Sequence, residues 1–188
     1  MANNVTNIIT LDADEPRTSE VLAAIQCDKF GPGSIDFQKI VPSSNGDDWY
    51  EAHQRDWATK WGAFGFDGDM PPYEPGSDTL QFLTAWSRPA PVLQRLSELY
   101  PDVGFYHQWA DEDVGHNVGE AWYRDGRCLD AFEPQGGSRE AYEMAAEIIG
   151  EDLESLGLRL LPDGSGYEYF DEDEGLAMQG FVGMEGMC

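Results

Sequence analysis

Apolar and polar positions alternate in "NNVTNIITL", where β-branched residues predict a strand that ends in the acidic turn "DADEP". The period then changes. "TSEVLAAIQC" sets Val21, Leu22 and Ile25 on one helical face before "GPGS" breaks it. "IDFQKIVP" returns to alternation through Ile35 and Phe37, predicting a second strand stopped by Pro42. In "DDWYEAHQRDW", Trp49, His53 and Trp57 recur at i, i+4 and i+8, the spacing of a short helix. "DGDMPPYEPGS" carries three prolines and two glycines in eleven residues and predicts a loop.

The second half is clearer. "TLQFLTAW" alternates Leu80, Phe82, Thr84 and Trp86, a half-buried strand. "SRPAPVLQRLSELYPD" is a helix with prolines at its first turn and Val92, Leu96 and Leu99 on one face. "VGFYHQWA" alternates again through Val103, Phe105, His107 and Trp109. "VGEAWYRDGRCLDAF" predicts a hairpin around Asp125-Gly126. "SREAYEMAAEIIG" is a second strong helix, capped by Ser138, stopped by Gly150, with Tyr142, Ala145, Ala146 and Ile149 inward. "LRLLPDGSGYEYFDEDEG" predicts a small hairpin followed by an acidic run. Early alternation of strands and helices, then three consecutive strands, favours an α+β fold: a two-layer sandwich, its sheet antiparallel or mixed, with helices packed on one face.

Several of these segments together resemble a known family, the YubB-like proteins with a ferredoxin-like domain carried by phages and plasmids. The resembling pieces are the start "MANN", "FQKIVP" at Phe37 to Pro42, "WATKWGA" at Trp57 to Ala63, "FLTAWSRPAPVLQRLSELYPD" at Phe82 to Asp102, and "GEAWYRDG" at Gly119 to Gly126. The resemblance covers about residues 1–150 and departs at Val5, where such proteins usually carry a Trp-Cys pair nearby. It implies a ferredoxin-like sandwich and a mobile-element origin, and it transfers no catalytic residues. The expected organisation is a ferredoxin-like domain over 1–150 and an acidic C-terminal extension over 151–188, with a hairpin and a loose tail.

Charge changes the picture most. The 188 residues hold 36 acids against 11 bases, a net charge of -25. Residues 111–188 hold 20 of those acids and only 4 bases, and no lysine follows Lys60. Such a field repels nucleic acid and anionic membranes and attracts basic surfaces. In the Ser138-capped helix, Glu140, Glu143 and Glu147 share the face opposite the apolar stripe, and none has a lysine at i+4. Glu151, Asp152 and Glu154 extend that face; Asp111, Glu112 and Asp113, and Asp171, Glu172, Asp173 and Glu174, form two further acidic runs. Together they are the expected partner-binding surface. Unpaired acidity also marks halophilic proteins, in which the charge serves solvation.

Other chemistry finds less support. His107, Asp111, Asp113 and His116 would make a metal site only if "HQWADEDVGH" turned back on itself. "DEDEG" and "FDGDMPP" lack the ligand pattern of a calcium-binding loop. There is no G-x-S-x-G elbow and no glycine-rich phosphate loop. Cys27, Cys128 and Cys188 are widely spaced and expected to be reduced thiols. "DWATKWGAF" has two readings. As a site, Lys60 would sit over Trp57 or Trp61 in a cation–π contact; the pattern favours scaffold, with Trp57 and Trp61 in the core, Trp61 pointing inward from a strand, and Lys60 in water.

No run approaches a membrane span and the start lacks the order of a signal peptide. The sequence therefore predicts a cytoplasmic, non-enzymatic protein without cofactor or metal. Its expected role is that of a mobile-element inhibitor whose acidic, DNA-mimicking surface occupies the basic DNA-binding surface of a host defence complex, a CRISPR surveillance complex first. The alternatives are a small metal-dependent enzyme or binding module at the histidine–aspartate cluster, or an acidic, solvated housekeeping domain.

Overall fold

The computed structural model describes residues 3–170. In chain order the elements are β1 (Asn4–Asp12), α1 (Arg17–Ile25), α2 (Phe37–Ile40), α3 (Trp49–Trp57), β2 (Thr79–Ala85), α4 (Ala90–Leu99), β3 (Gly104–Asp111), β4 (Val118–Arg124), β5 (Arg127–Phe132), α5 (Arg139–Ile149), β6 (Leu158–Leu160) and β7 (Tyr167–Tyr169). The first five strands form one antiparallel sheet in the order β2-β1-β3-β4-β5; β6 and β7 form a separate hairpin. Strands β2 and β3 each run antiparallel to β1, so they are parallel to one another, with α4 in the crossover and β1 between them. That is a split β-α-β unit, the arrangement expected of a ferredoxin-like sandwich.

Strand alternation decides which layer each residue enters. One face of the sheet carries Val5, Ile9, Leu80, Phe82, Phe105 and Trp109, all fully or almost fully buried beneath Val21, Ile25, Phe37, Trp57, Val92, Leu93 and Leu96 of α1 to α4. The opposite face carries Ile8, Ala110 and Val118, covered by Ala141, Tyr142, Ala145 and Ile148 of α5 and by Leu158 of β6. Four helices thus share one face, and α5 caps one end of the other. The hairpin around Asp125-Gly126 forms as its turn pair demands, with φ of 50° and 71° at the two central residues.

Three local expectations need correction. "IDFQKIVP" is not a strand: Asp36 accepts a hydrogen bond from the Gln38 amide at 2.9 Å and caps the single turn α2, burying Ile35, Phe37 and Ile40 together. "TKWGAF" is not a strand either; α3 ends at Ala58 in the left-handed region, and only Phe64 bridges to Leu83. In α4, Leu93 is buried and Leu99 faces solvent, so the apolar stripe is shifted from the expected one. Cys27 and Cys128 are free thiols, and Cys188 lies outside the described residues.

Candidate partner-binding surface

Helix α5 sets the acidic face. The Ser138 hydroxyl accepts from the Ala141 amide at 3.2 Å, and Gly150, at φ 81°, closes the far end. With Ala141, Tyr142, Ala145, Ala146 and Ile148 turned to the sheet, Glu140, Glu143 and Glu147 are left exposed. They are not equivalent. Arg139 binds Glu143 at 2.7 Å from the preceding turn, and the Tyr167 hydroxyl donates to the same oxygen at 3.2 Å. The Arg139 guanidinium chiefly holds the Glu143 carboxyl below its usual range. Glu140 and Glu147 have no ion pair among the described residues.

Beyond α5, Glu151 and Glu154 are exposed and have no ion pair among the described residues, whereas Asp152 accepts from the Ser155 amide at 2.8 Å and the Ser155 hydroxyl at 2.9 Å. Those bonds, the amide first, lower its pKa and tie it to the turn. Glu112 and Asp113 are exposed on the β3–β4 loop. Asp111 is not a surface acid. It is 5% exposed, and its carboxylate accepts from Asn3 at 3.2 Å, Asn117 at 2.9 Å and the Asp113 amide at 2.9 Å. The expected acids Asp171, Glu172, Asp173 and Glu174 lie outside the described residues.

The residues of the histidine–aspartate cluster are not brought together. His107 is wholly buried in the sheet, its Nε2 donating to the Asn7 Oδ1 at 3.0 Å, while Asp111 is occupied by the asparagines. Only Asp113 and His116 approach one another, at 3.6 Å. Among the described residues, no group of three potential ligands is close enough to hold a metal ion.

An aromatic surface went unforeseen. Trp49, Tyr50, Trp61 and Trp86 are each 38–39% exposed and cluster around Lys60. Trp49 meets Tyr50 edge-on at 5.8 Å, and Tyr50 meets Trp86 at 6.2 Å. The Lys60 Nζ sits 4.8 Å from the Trp61 ring centre and 5.0 Å from that of Trp86. Of the two tryptophans assigned to the core, Trp57 is there and Trp61 is not. The helical spacing of Trp49, His53 and Trp57 is the available signal: Trp49 meets His53 edge-on at 5.5 Å, and His53 stacks on Trp57 at 4.0 Å, running from surface to core.

Residues 56–152 match the family model described as the ferredoxin-like domain in Api92-like protein, over half of the chain. The chain belongs to this Api92-like family. No curated protein and no solved structure matches it. The Api92-like match begins at the end of α3 and runs through α5, so it includes Lys60, Trp61, Trp86 and the helical glutamates. It leaves out β1, the strand that sits between β2 and β3 and completes the split unit.

Charge pairing in this Api92-like chain is close to saturated on the basic side. Every arginine except Arg127 is already in an ion pair with a described carboxylate. Only Lys29, Lys60 and Arg127 are left without an ion pair among the described residues, too few to meet the surplus acids. No helix among the described residues is long and apolar enough to cross a membrane.

Proposed function

We propose that this chain is a non-enzymatic, mobile-element-encoded inhibitor acting in the cytoplasm of a bacterial host. Its acidic surface takes the place of DNA on the basic groove of a host defence complex, a CRISPR surveillance complex foremost. The observation that carries this reading is the uncompensated row Glu140, Glu147, Glu151 and Glu154, in a chain whose arginines are nearly all committed elsewhere. Glu140 and Glu147 are seven residues apart on α5, ~10 Å of rise, with Glu151 and Glu154 continuing the acidic run past the helix end. The phosphates of one DNA strand recur every ~3.4 Å of axis, so the row is sparser than a strand but carries the same sign along one direction. Phage or plasmid origin, implied by the YubB-like resemblance, supplies a reason for such an inhibitor to exist.

The test is a DNA-binding assay with a purified CRISPR surveillance complex. The parent protein should lower DNA binding, and its effect should weaken steeply as salt is raised. A variant carrying Glu140→Lys, Glu147→Lys and Glu151→Lys should lose inhibition while keeping its melting temperature, because none of the three is paired. Glu143 is left intact because Arg139 and Tyr167 depend on it. Inhibition by the reversed variant equal to that of the parent removes this face as the site, and a parent without effect removes the reading.

A further inference from the structure

The cluster around Lys60 sits beside two residues with positive φ. Trp86 follows β2 at φ 75° and Ala58 follows α3 at φ 62°, conformations that L residues rarely adopt. Both are held in place by long-range bonds. Asn117 donates to the Trp86 carbonyl at 3.1 Å, and its own orientation is fixed by the buried Asp111 carboxylate. The Trp86 amide donates to the Asn3 carbonyl at 2.9 Å. On the core side, His107 donates to Asn7, Asn7 donates to Thr84, and Thr84 donates to the Ser87 carbonyl at 2.8 Å. The Ser87 hydroxyl then donates to the Ala58 carbonyl, clasping one loop to the other. On the second loop, Thr59 donates to the Trp61 carbonyl at 2.7 Å and His53 to the Lys60 carbonyl at 3.2 Å.

The network that satisfies the buried His107, Asn7 and Thr84 also fixes the loop from which Trp86 turns outward. Its product is a pair of indoles set on either side of a cation. That cation is the chain's own: Lys60 makes no ion pair among the described residues, although carboxylates outnumber lysines twelvefold. It is therefore held by ring faces, a weak attraction at an exposed site that a better-placed cation can displace. Exposed acids stand on both flanks. Asp47, Asp48 and Glu51 lie at the start of α3 beside Trp49 and Tyr50, and Glu112 and Asp113 lie in the loop whose Asn117 binds Trp86.

We propose that Trp61 and Trp86 form an aromatic box for an arginine side chain of a basic protein partner, which Lys60 fills in the free chain and vacates on binding. A planar guanidinium stacks on indoles better than an ammonium does, and the flanking acids draw basic segments to this end of the sheet. The inference rests on the reading above that the partner is basic, and it supplies that partner with a specific anchor.

The experiment is a titration of the intact protein with an oligo-arginine peptide at low salt, followed through the indole N–H signals of the labelled protein. The Trp61 and Trp86 signals should shift most. Lys60→Met should tighten binding, since it empties the box of its occupant. Trp86→Gly removes the ring but suits a φ of 75°, so it should keep the parent's melting temperature and weaken binding by about fivefold. If Trp86→Gly binds as the parent does, or if it melts far below the parent, the box is not a binding device. If only the Glu140, Glu147 and Glu151 reversals weaken binding, the acidic face survives and this inference falls. If the peptide does not bind at all, both fall.

Discussion

At the scale of single residues, the most consequential choice is a histidine in the sheet. His107 is wholly enclosed, packed 5.2 Å from the Trp109 ring, with its Nδ1 unpaired among the described residues and its Nε2 committed to Asn7. Burial, with the nearby Arg88 charge adding to it, pushes the imidazole pKa down from 6.5 to about 3. The unfolded chain therefore takes up the proton first. Stability contributed by the neutral ring is full above pH 6.5 and falls as the pH drops toward 3, by about 1.4 kcal/mol per unit. Denaturant unfolding of the parent and of His107→Leu should diverge in slope between about pH 6.5 and 5, a window above most carboxylate titrations. The variant starts less stable, with Asn7 short of a donor, but it should lose less with acid. Parallel curves would show that His107 does not stay neutral in the fold.

Elements were legible where their signals were local. Helix α5 follows from a serine, an apolar stripe and a glycine: the cap and the stop sit where expected, while the stripe buries Ala141 and Ile148 and leaves Ile149 half-buried. Replacing the cap, Ser138→Ala, should cost about 1 kcal/mol of stability, measurable as a lower urea midpoint with an unchanged slope; a change of less than a few tenths would mean the Ala141 amide finds another acceptor. The hairpin at Asp125-Gly126 was equally local. Trp86 was not. Its inward assignment followed from continuing the alternation of Leu80, Phe82 and Thr84, but β2 stops at Ala85. Its conformation is held by Asn117, 31 residues on, and by Asn3. "IDFQKIVP" failed differently: Ile35 and Phe37 alternate as a strand would, and only Asp36, an overlooked cap, distinguishes a helical turn. Asp111 looked like the first of three solvated acids because nothing near it in sequence announces the two asparagine amides that it accepts. Glu143 has no lysine four residues ahead, yet it is paired, by Arg139 four residues behind.

At the scale of the whole molecule, the question is what holds a charge of -25 together, and whether it serves a partner or the solvent. The core argues that folding does not depend on high salt: one apolar cluster fills one face of the sheet and a second covers part of the other, and Trp109, Phe105, Phe82 and Phe37 are almost wholly buried. Mutual repulsion among the acids opposes compaction, and added salt relieves it only by screening. The Debye length is already ~10 Å at 0.1 M and ~3 Å at 1 M, so screening acts mostly at the low end. The chain should therefore be folded at about 10 mM salt, gain melting temperature up to roughly 0.3 M, and then level off. A halophilic protein that uses its acids for solvation should instead keep gaining into the molar range. Thermal unfolding across that range separates the two. A plateau leaves the acidic face free to be explained by a basic partner, whereas a continuing rise would assign the same carboxylates to water and remove the electrostatic case for inhibition.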